Sequence, residues 1–303
     1  MITAARGSVP TRPTLAQRRE ALAKLMQLSD CSAPMRRIDE RTLATAEGPL
    51  RLRVYTPQAA ETARTAAIVY FHGGGFVAGS LDTHDGLCRS LAHETGAKLL
   101  AVAYRLAPEH SFPAAVNDAC AATLAIGEGA GELGIDAQRL AVAGDSAGAC
   151  LAAVVAREMR GRSGVRLAAQ LLLCPITDFA GETPSRREFA DGYVIDRETI
   201  ESDLDYYLCG ADPSDPRVSP LRAADLDGLP PALVHTAEFD PMRDEGAAYA
   251  RRLVSYGVPV RHTCHPGMIH LFYAMSGMVP YARAALRGIG EEMRAAFASP
   301  VLS

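Results

Sequence analysis

From residue 65 onward, short apolar runs alternate with amphipathic stretches, and that rhythm leaves the chain few architectures. The runs are Ala67–Phe71, Leu99–Tyr104, Leu140–Ala143, Gln170–Cys174, Ala232–Thr236 and Val258–Thr263. Helical patterns separate them at Leu87–Glu94, Ala114–Ile126, Ala147–Met159 and Glu245–Ser255. Strands that are apolar throughout belong inside a sheet covered on both faces, and helices between them serve as crossovers of parallel strands. Upstream, Ile38–Thr45 and Leu50–Tyr55 alternate in the manner of antiparallel strands joined at Gly48-Pro49. The expectation is one α/β domain over residues 1–303, with about eight mostly parallel strands and helices on both faces.

Two segments break the rhythm. Thr14–Leu28 follows Pro13 and gathers Leu15, Leu22, Leu25, Met26 and Leu28 on one side of a helix. Phe179–Asp227 runs long without a parallel strand and holds a helical piece, Arg197–Leu208, and a Pro/Asp-rich stretch, Asp212–Pro220. Insertions of this size tend to cover a site. Residues 1–34 and about 179–227 are therefore expected to form a cap over the strand ends.

Composition excludes several function classes. With 48% hydrophobic and 22% charged residues in 303, the chain can bury a large core. A net charge of −4 without a basic block gives no electrostatic basis for nucleic-acid binding. Apolar runs such as Ala149–Ala156 are too short for a membrane span. Seven cysteines occur without a CxxC pair, which predicts reduced thiols and neither disulfides nor zinc. Arg6 and Arg12 are accompanied by Pro10 and Pro13 where a signal peptide needs an apolar stretch. The expected location is the cytoplasm.

The chemistry is concentrated at the ends of the apolar runs. Gly144-Asp145-Ser146-Ala147-Gly148 fits GxSxG, preceded by the strand Leu140–Ala143 and followed by an Ala-rich helix. A sharp strand-to-helix turn would present the Ser146 hydroxyl, with strand and helix so close that the positions two before and two after must be small. A plain glycine-rich turn with Ser146 as an N-cap would share the motif but not require its setting. A serine hydroxyl needs a base, so a histidine must come from elsewhere. Phe71-His72-Gly73-Gly74-Gly75-Phe76 follows another strand. Its glycines allow close backbone approach, and Gly74 and Gly75, with Ala147, are expected to supply N–H donors to an oxyanion. The same glycines fit GxGxxA through Ala78, a dinucleotide fingerprint, but the next strand ends in Tyr104-Arg105 instead of the acid a ribose requires. No cofactor and no metal are expected, and His72 is read as a brace of its loop.

The remaining groups follow in chain order. Asp240 lies just past Ala232–Thr236, with Glu238 the second choice and Asp244 a first-turn acid of the next helix. His270 lies in a loop beyond Gly267, whereas His262 and His265 fall in or at the edge of the last strand. Ser146, Asp240 and His270 thus form the expected triad, with His270 as base and Asp240 orienting it.

Taken together, HGGGF at His72–Phe76, GDSAG at Gly144–Gly148 and DPMRDEG at Asp240–Gly246 resemble the hormone-sensitive-lipase-like carboxylesterases, the bacterial family IV enzymes. Tyr104–His110 and His270-Leu271-Phe272 add to the likeness, and Met242 stands where these proteins often have leucine. The resemblance implies the α/β-hydrolase fold and a cofactor-free esterase for short or medium acyl chains acting on a small-molecule ester; relatives can pair as homodimers through the last strand and nearby helices, which the residues of this chain leave open. An amide or carbamate hydrolase, an acyltransferase, or a receptor such as the plant gibberellin receptors could use the same fold. Those receptors lack a working histidine; His270 favours turnover.

Overall fold

A computed structural model describes residues 13–60, 64–162 and 164–298. The chain begins with α1 (Leu15–Met26), then β1 (Met35–Thr45), β2 (Gly48–Pro57), β3 (Thr65–Phe71), α2 (Asp85–Thr95), β4 (Lys98–Val102), α3 (Ala114–Glu128) and α4 (Ala130–Leu133). It continues through β5 (Ile135–Asp145), α5 (Ala147–Glu158), β6 (Leu167–Leu173), α6 (Pro184–Glu188) and α7 (Arg197–Leu208). The last elements are β7 (Ala232–Phe239), α8 (Arg243–Ser255), β8 (Val260–Ile269) and α9 (Pro280–Ala298).

The strands form one sheet of eight in the order β1-β2-β4-β3-β5-β6-β7-β8. From β4 to β8 every pairing is parallel, and β2 runs against both its neighbours. The central strand β6 is buried along its whole length, as its unbroken apolar sequence requires. The outer strand β1 is dotted with Arg36, Arg37, Glu40 and Arg41, charges that keep a sheet edge from pairing with other chains. Helices α5 and α9 both lie against β6, α2 packs on α9, and α3 packs on α5, giving helices on both faces.

Local chemistry sets the boundaries. Thr14 caps α1 in a capping box with Gln17, and Asp196 caps α7 through the N–H of Thr199. The turn between β1 and β2 falls at Ala46-Glu47, two residues before the expected Gly48-Pro49, because Thr45 pairs with Gly48. Strand β8 runs on past Thr263, through His265 and Gly267 to Ile269. His270 therefore follows a strand directly and is not set off in a loop. No element is expected past Phe272 from the strand–helix rhythm, yet α9 spans 19 residues there. Among the described residues, no helix is long and apolar enough to cross a membrane.

Candidate active site

Because β3, β5, β7 and β8 are parallel, their C-terminal ends meet at one edge of the sheet, where α/β proteins place functional groups. Each delivers part of the site. β5 ends at Ser146, held at φ 53° and ψ −118°, with its N–H donated to the Leu173 carbonyl at 2.8 Å. The turn is tight enough that a Cβ on Gly144 would strike the Gly148 backbone, and one on Gly148 would strike the carbonyl oxygen of Phe71. Only glycine fits both positions.

Strands β7 and β8 pair in a register that sets Phe239 opposite Ile269. The next residue on each is Asp240 and His270, so neighbouring strand ends bring acid and imidazole together. His270 Nδ1 lies 2.8 Å from Asp240 Oδ2, and its Nε2 lies 3.1 Å from Ser146 Oγ. All three residues are buried. The second Asp240 oxygen accepts the Met242 N–H at 2.8 Å. Leu271 adopts φ 57° and Cys174, just past β6, φ 43°. With Ser146, the ends of three strands, β5, β6 and β8, carry backbone of a kind that costs about 1–3 kcal/mol and concentrates at functional sites.

Cys174 was not singled out by its sequence, which marks it only as the residue ending a strand. Its sulfur, an Asp240 oxygen and a His270 nitrogen lie within 4.8 Å of one another, close enough for a metal ion. Burial, reinforced by the Asp240 charge, pushes this thiol far above its ordinary range. A thiol that stays protonated is a poor ligand. His270 moreover already spans Asp240 and Ser146.

After β3, the loop at His72–Phe76 is held from below and above. Asp145 accepts the Gly73 N–H at 2.9 Å and the Tyr70 hydroxyl, and its other oxygen lies 3.4 Å from His84 Nε2. Burial would raise this carboxyl, but His84, Tyr70 and His72 outweigh it and hold it below the usual carboxylate range. Burial, with His84 beside it, pushes the His72 imidazole down to about 3. His72 stacks on Tyr104, whose hydroxyl donates to the His72 carbonyl at 2.6 Å. It braces its loop, with its Nδ1 2.8 Å from the Gly73 carbonyl oxygen. Above, the Phe76 ring stacks on Tyr207 of α7 with centroids 3.8 Å apart. The N–H groups of Gly74 and Gly75 have no acceptor among the described residues, and Ala147 opens α5, where a helix leaves N–H groups unpaired.

The competitors occupy other places. Glu238 accepts the Gly267 N–H at 2.7 Å near the surface. Asp244 accepts the Ser185 N–H at 2.9 Å. His265 bridges His235 and Tyr281 at 3.1 Å each, and His262 pairs with the Thr236 hydroxyl. Over Ser146, His270 and Gly74 lies a cavity of about 310 Å³. Its walls come from α1 (Gln17, Arg18, Ala21, Leu22, Leu25) and from Val194, Ile195 and Thr199 at the start of α7. Gly75 and Ala147 are not in its lining. The wall residues could not be found from sequence, since they come together only in the folded chain.

The sheet and its loaded edge define a hydrolase of the α/β class. Residues 68–274 match the family model described as the alpha/beta hydrolase fold. Carboxylesterase NlhH of Mycobacterium tuberculosis is 42% identical over 285 residues, covering 91% of this chain and 88% of that protein. Ethyl acetate hydrolase of Pseudomonas putida is 41% identical, with 85% of this chain and 82% of that protein covered. The ester hydrolase EH1AB1 from the metagenome of Lake Arreo, solved with a bipyridine phosphonate derivative, superimposes with a TM-score of 0.91 at 37% identity, covering 97% and 95% of the two chains. The chain belongs to the hormone-sensitive-lipase-like carboxylesterases of this fold, and it is an ester-hydrolysing enzyme.

Proposed function

We propose that the protein is a serine carboxylesterase for short- to medium-chain acyl esters, with Ser146 as nucleophile, His270 as base and Asp240 as its orienting acid. The observation that carries this is the chain of contacts from Asp240 through His270 to Ser146, at 2.8 and 3.1 Å. His270 Nε2 takes the hydroxyl proton as Ser146 attacks the ester carbonyl, then gives it to the leaving alcohol. Asp240 holds the imidazole through Nδ1 and stabilises its cation. The tetrahedral oxyanion is received by the N–H groups of Gly74, Gly75 and Ala147, each contributing about 3 kcal/mol. Water, activated by the same His270, then releases the acid.

The preference for short chains is supported by the size of the cavity and its apolar wall of Leu22, Leu25, Val194 and Ile195. We read α1 and residues about 179–227 as the cap, since both contribute that wall; residues 1–12 of the expected cap lie outside the described residues. The outer strand β8, paired among the described residues only with β7, offers an edge for a homodimer. Light scattering over a concentration series, giving a dimer mass, checks that pairing.

The test of the mechanism is an acyl-chain series of nitrophenyl esters, beside anilides and added alcohol acceptors, on the wild type and three variants. Ser146→Ala and His270→Gln should lose roughly 10⁴-fold or more in kcat, and Asp240→Asn less. Undiminished hydrolysis by Ser146→Ala overturns the assignment. Faster turnover of anilides than esters, or transfer to alcohol ahead of hydrolysis, overturns the reaction class.

A further inference from the structure

Asp203, on α7, takes no part in the reaction above, yet its carboxylate presses on the backbone of Gly75. A Cβ at that glycine would overlap the Asp203 carboxyl group. The side chain is 7% exposed, and among the described residues one cation answers it. Arg18 of α1 donates from Nη2 at 2.9 Å and from Nε at 3.1 and 3.3 Å. Arg18 also lines the cavity that holds Ser146 and His270. One ion pair therefore joins the two wall segments directly over the glycine loop.

A carboxylate is a poor choice at this spot on electrostatic grounds alone. An oxyanion hole works because N–H dipoles meet developing negative charge in a site with little water. A second negative charge beside Gly75 opposes that, and low dielectric magnifies the opposition. For joining two helices, an apolar contact would serve without the desolvation an ion pair suffers. We propose that Arg18 is a positioning residue for the oxyanion loop: it clamps Asp203 onto Gly75 and cancels the carboxylate charge there. The inference rests on the reading of Gly74, Gly75 and Ala147 as oxyanion donors.

The groups facing Asp203 are few. Arg18 comes from α1, Asp196 from the start of α7, and the glycine loop brings only backbone. Burial raises the Asp203 carboxyl and Arg18 partly offsets it, leaving it at about 6. Without Arg18 the group titrates higher still, within the range of an esterase assay.

The experiment measures kcat and KM between roughly pH 6 and 9, each variant read against the wild type at the same pH, for the wild type, Arg18→Gln, Arg18→Lys, Asp203→Asn and Arg18→Gln/Asp203→Asn. In Arg18→Gln, kcat should fall about tenfold as pH rises, a modest part of the 10²–10³ that one oxyanion donor contributes. KM should move by less than about threefold. Adding Asp203→Asn should abolish the fall, and Arg18→Lys should keep the wild-type profile. If Arg18→Gln does not fold, Asp203→Asn and the double variant decide the matter; their kcat values should agree within about threefold. A loss that is equal at every pH, or that persists in the Asp203→Asn background, overturns the proposal and leaves a structural clasp. Phosphonate labelling tests the underlying reading separately: an unlabelled Ser146 removes that reading, whatever the pair does.

Discussion

Ser146 occupies a backbone conformation that serine seldom adopts, and the glycines around it make that possible. Gly148→Ala would drive a methyl into the Phe71 carbonyl oxygen and so push strand and helix apart. We expect a loss of roughly 1–3 kcal/mol in stability and a larger proportional loss of kcat, checked by urea unfolding beside the esterase assay. A second prediction concerns His72, whose folded imidazole titrates near 3 against an ordinary value of 6.5. Its neutral form favours the folded state. That contribution is complete above about pH 6.5 and declines as pH falls toward about 3. Urea midpoints should therefore drop on acidification, and less steeply in His72→Asn; equal slopes would contradict the account. At this scale the sequence was most legible, because GxSxG and HGGG act through residues adjacent in the chain. Cys174 and Asp203 carried no such local mark. They gain meaning only from Asp240, Gly75 and Arg18, which lie far off in sequence.

Among the elements, α6 and α1 are anchored to the core by ion pairs as well as apolar contact. Glu245, in the first turn of α8, is fully buried and accepts the Thr177 N–H at 2.7 Å and Arg186 Nε, from α6, at 2.7 Å. Burial raises its carboxyl even with Arg186 in place. Arg186→Met would leave a buried acid without its cation, a change that costs about 3–5 kcal/mol. A urea midpoint near the wild-type value would show that the pair contributes little. Arg19 does similar service for α1, donating to the Val77 carbonyl at 2.8 Å and to Glu109 at 2.7 Å. Helix α7 was legible to the residue, since an Asp cap and a periodic run bound it. Helix α9 was missed although Ala282, Leu286, Ile289, Met293 and Phe297 repeat at helical spacing and are buried. The end of β8 was misjudged for a physical reason: Pro266 and Gly267 are turn formers, but on an outer strand they are tolerated.

At the level of the whole molecule, one parallel sheet does the gathering. Four strand ends deliver the hydroxyl, the imidazole, the acid and the glycine loop to one edge, and α1 with the start of α7 walls the cavity above. If α1 forms part of the acyl wall, a variant lacking residues 1–26 should keep the sheet but lose discrimination between acyl chains. Its KM for the best short-chain ester should rise about tenfold, the loss of a few buried methylenes. Far-ultraviolet circular dichroism should show the core still folded; an unchanged acyl profile would remove α1 from the wall. The strand count, about eight, was legible from rhythm alone, but the order of the strands in the sheet was not. The cavity was not, because its walls are set by contacts between segments as distant as Arg18 and Asp203, 185 residues apart.

That separation also sets a timetable for biosynthesis. His270 follows Ser146 by 124 residues, and α9 comes later still. With Ser146 read as nucleophile and His270 as base, a growing chain gains the hydroxyl before the imidazole, and Arg18 before its partner Asp203 on α7. On that same reading, a chain cut short between residues 146 and 270 is inert however well the rest of its sheet assembles.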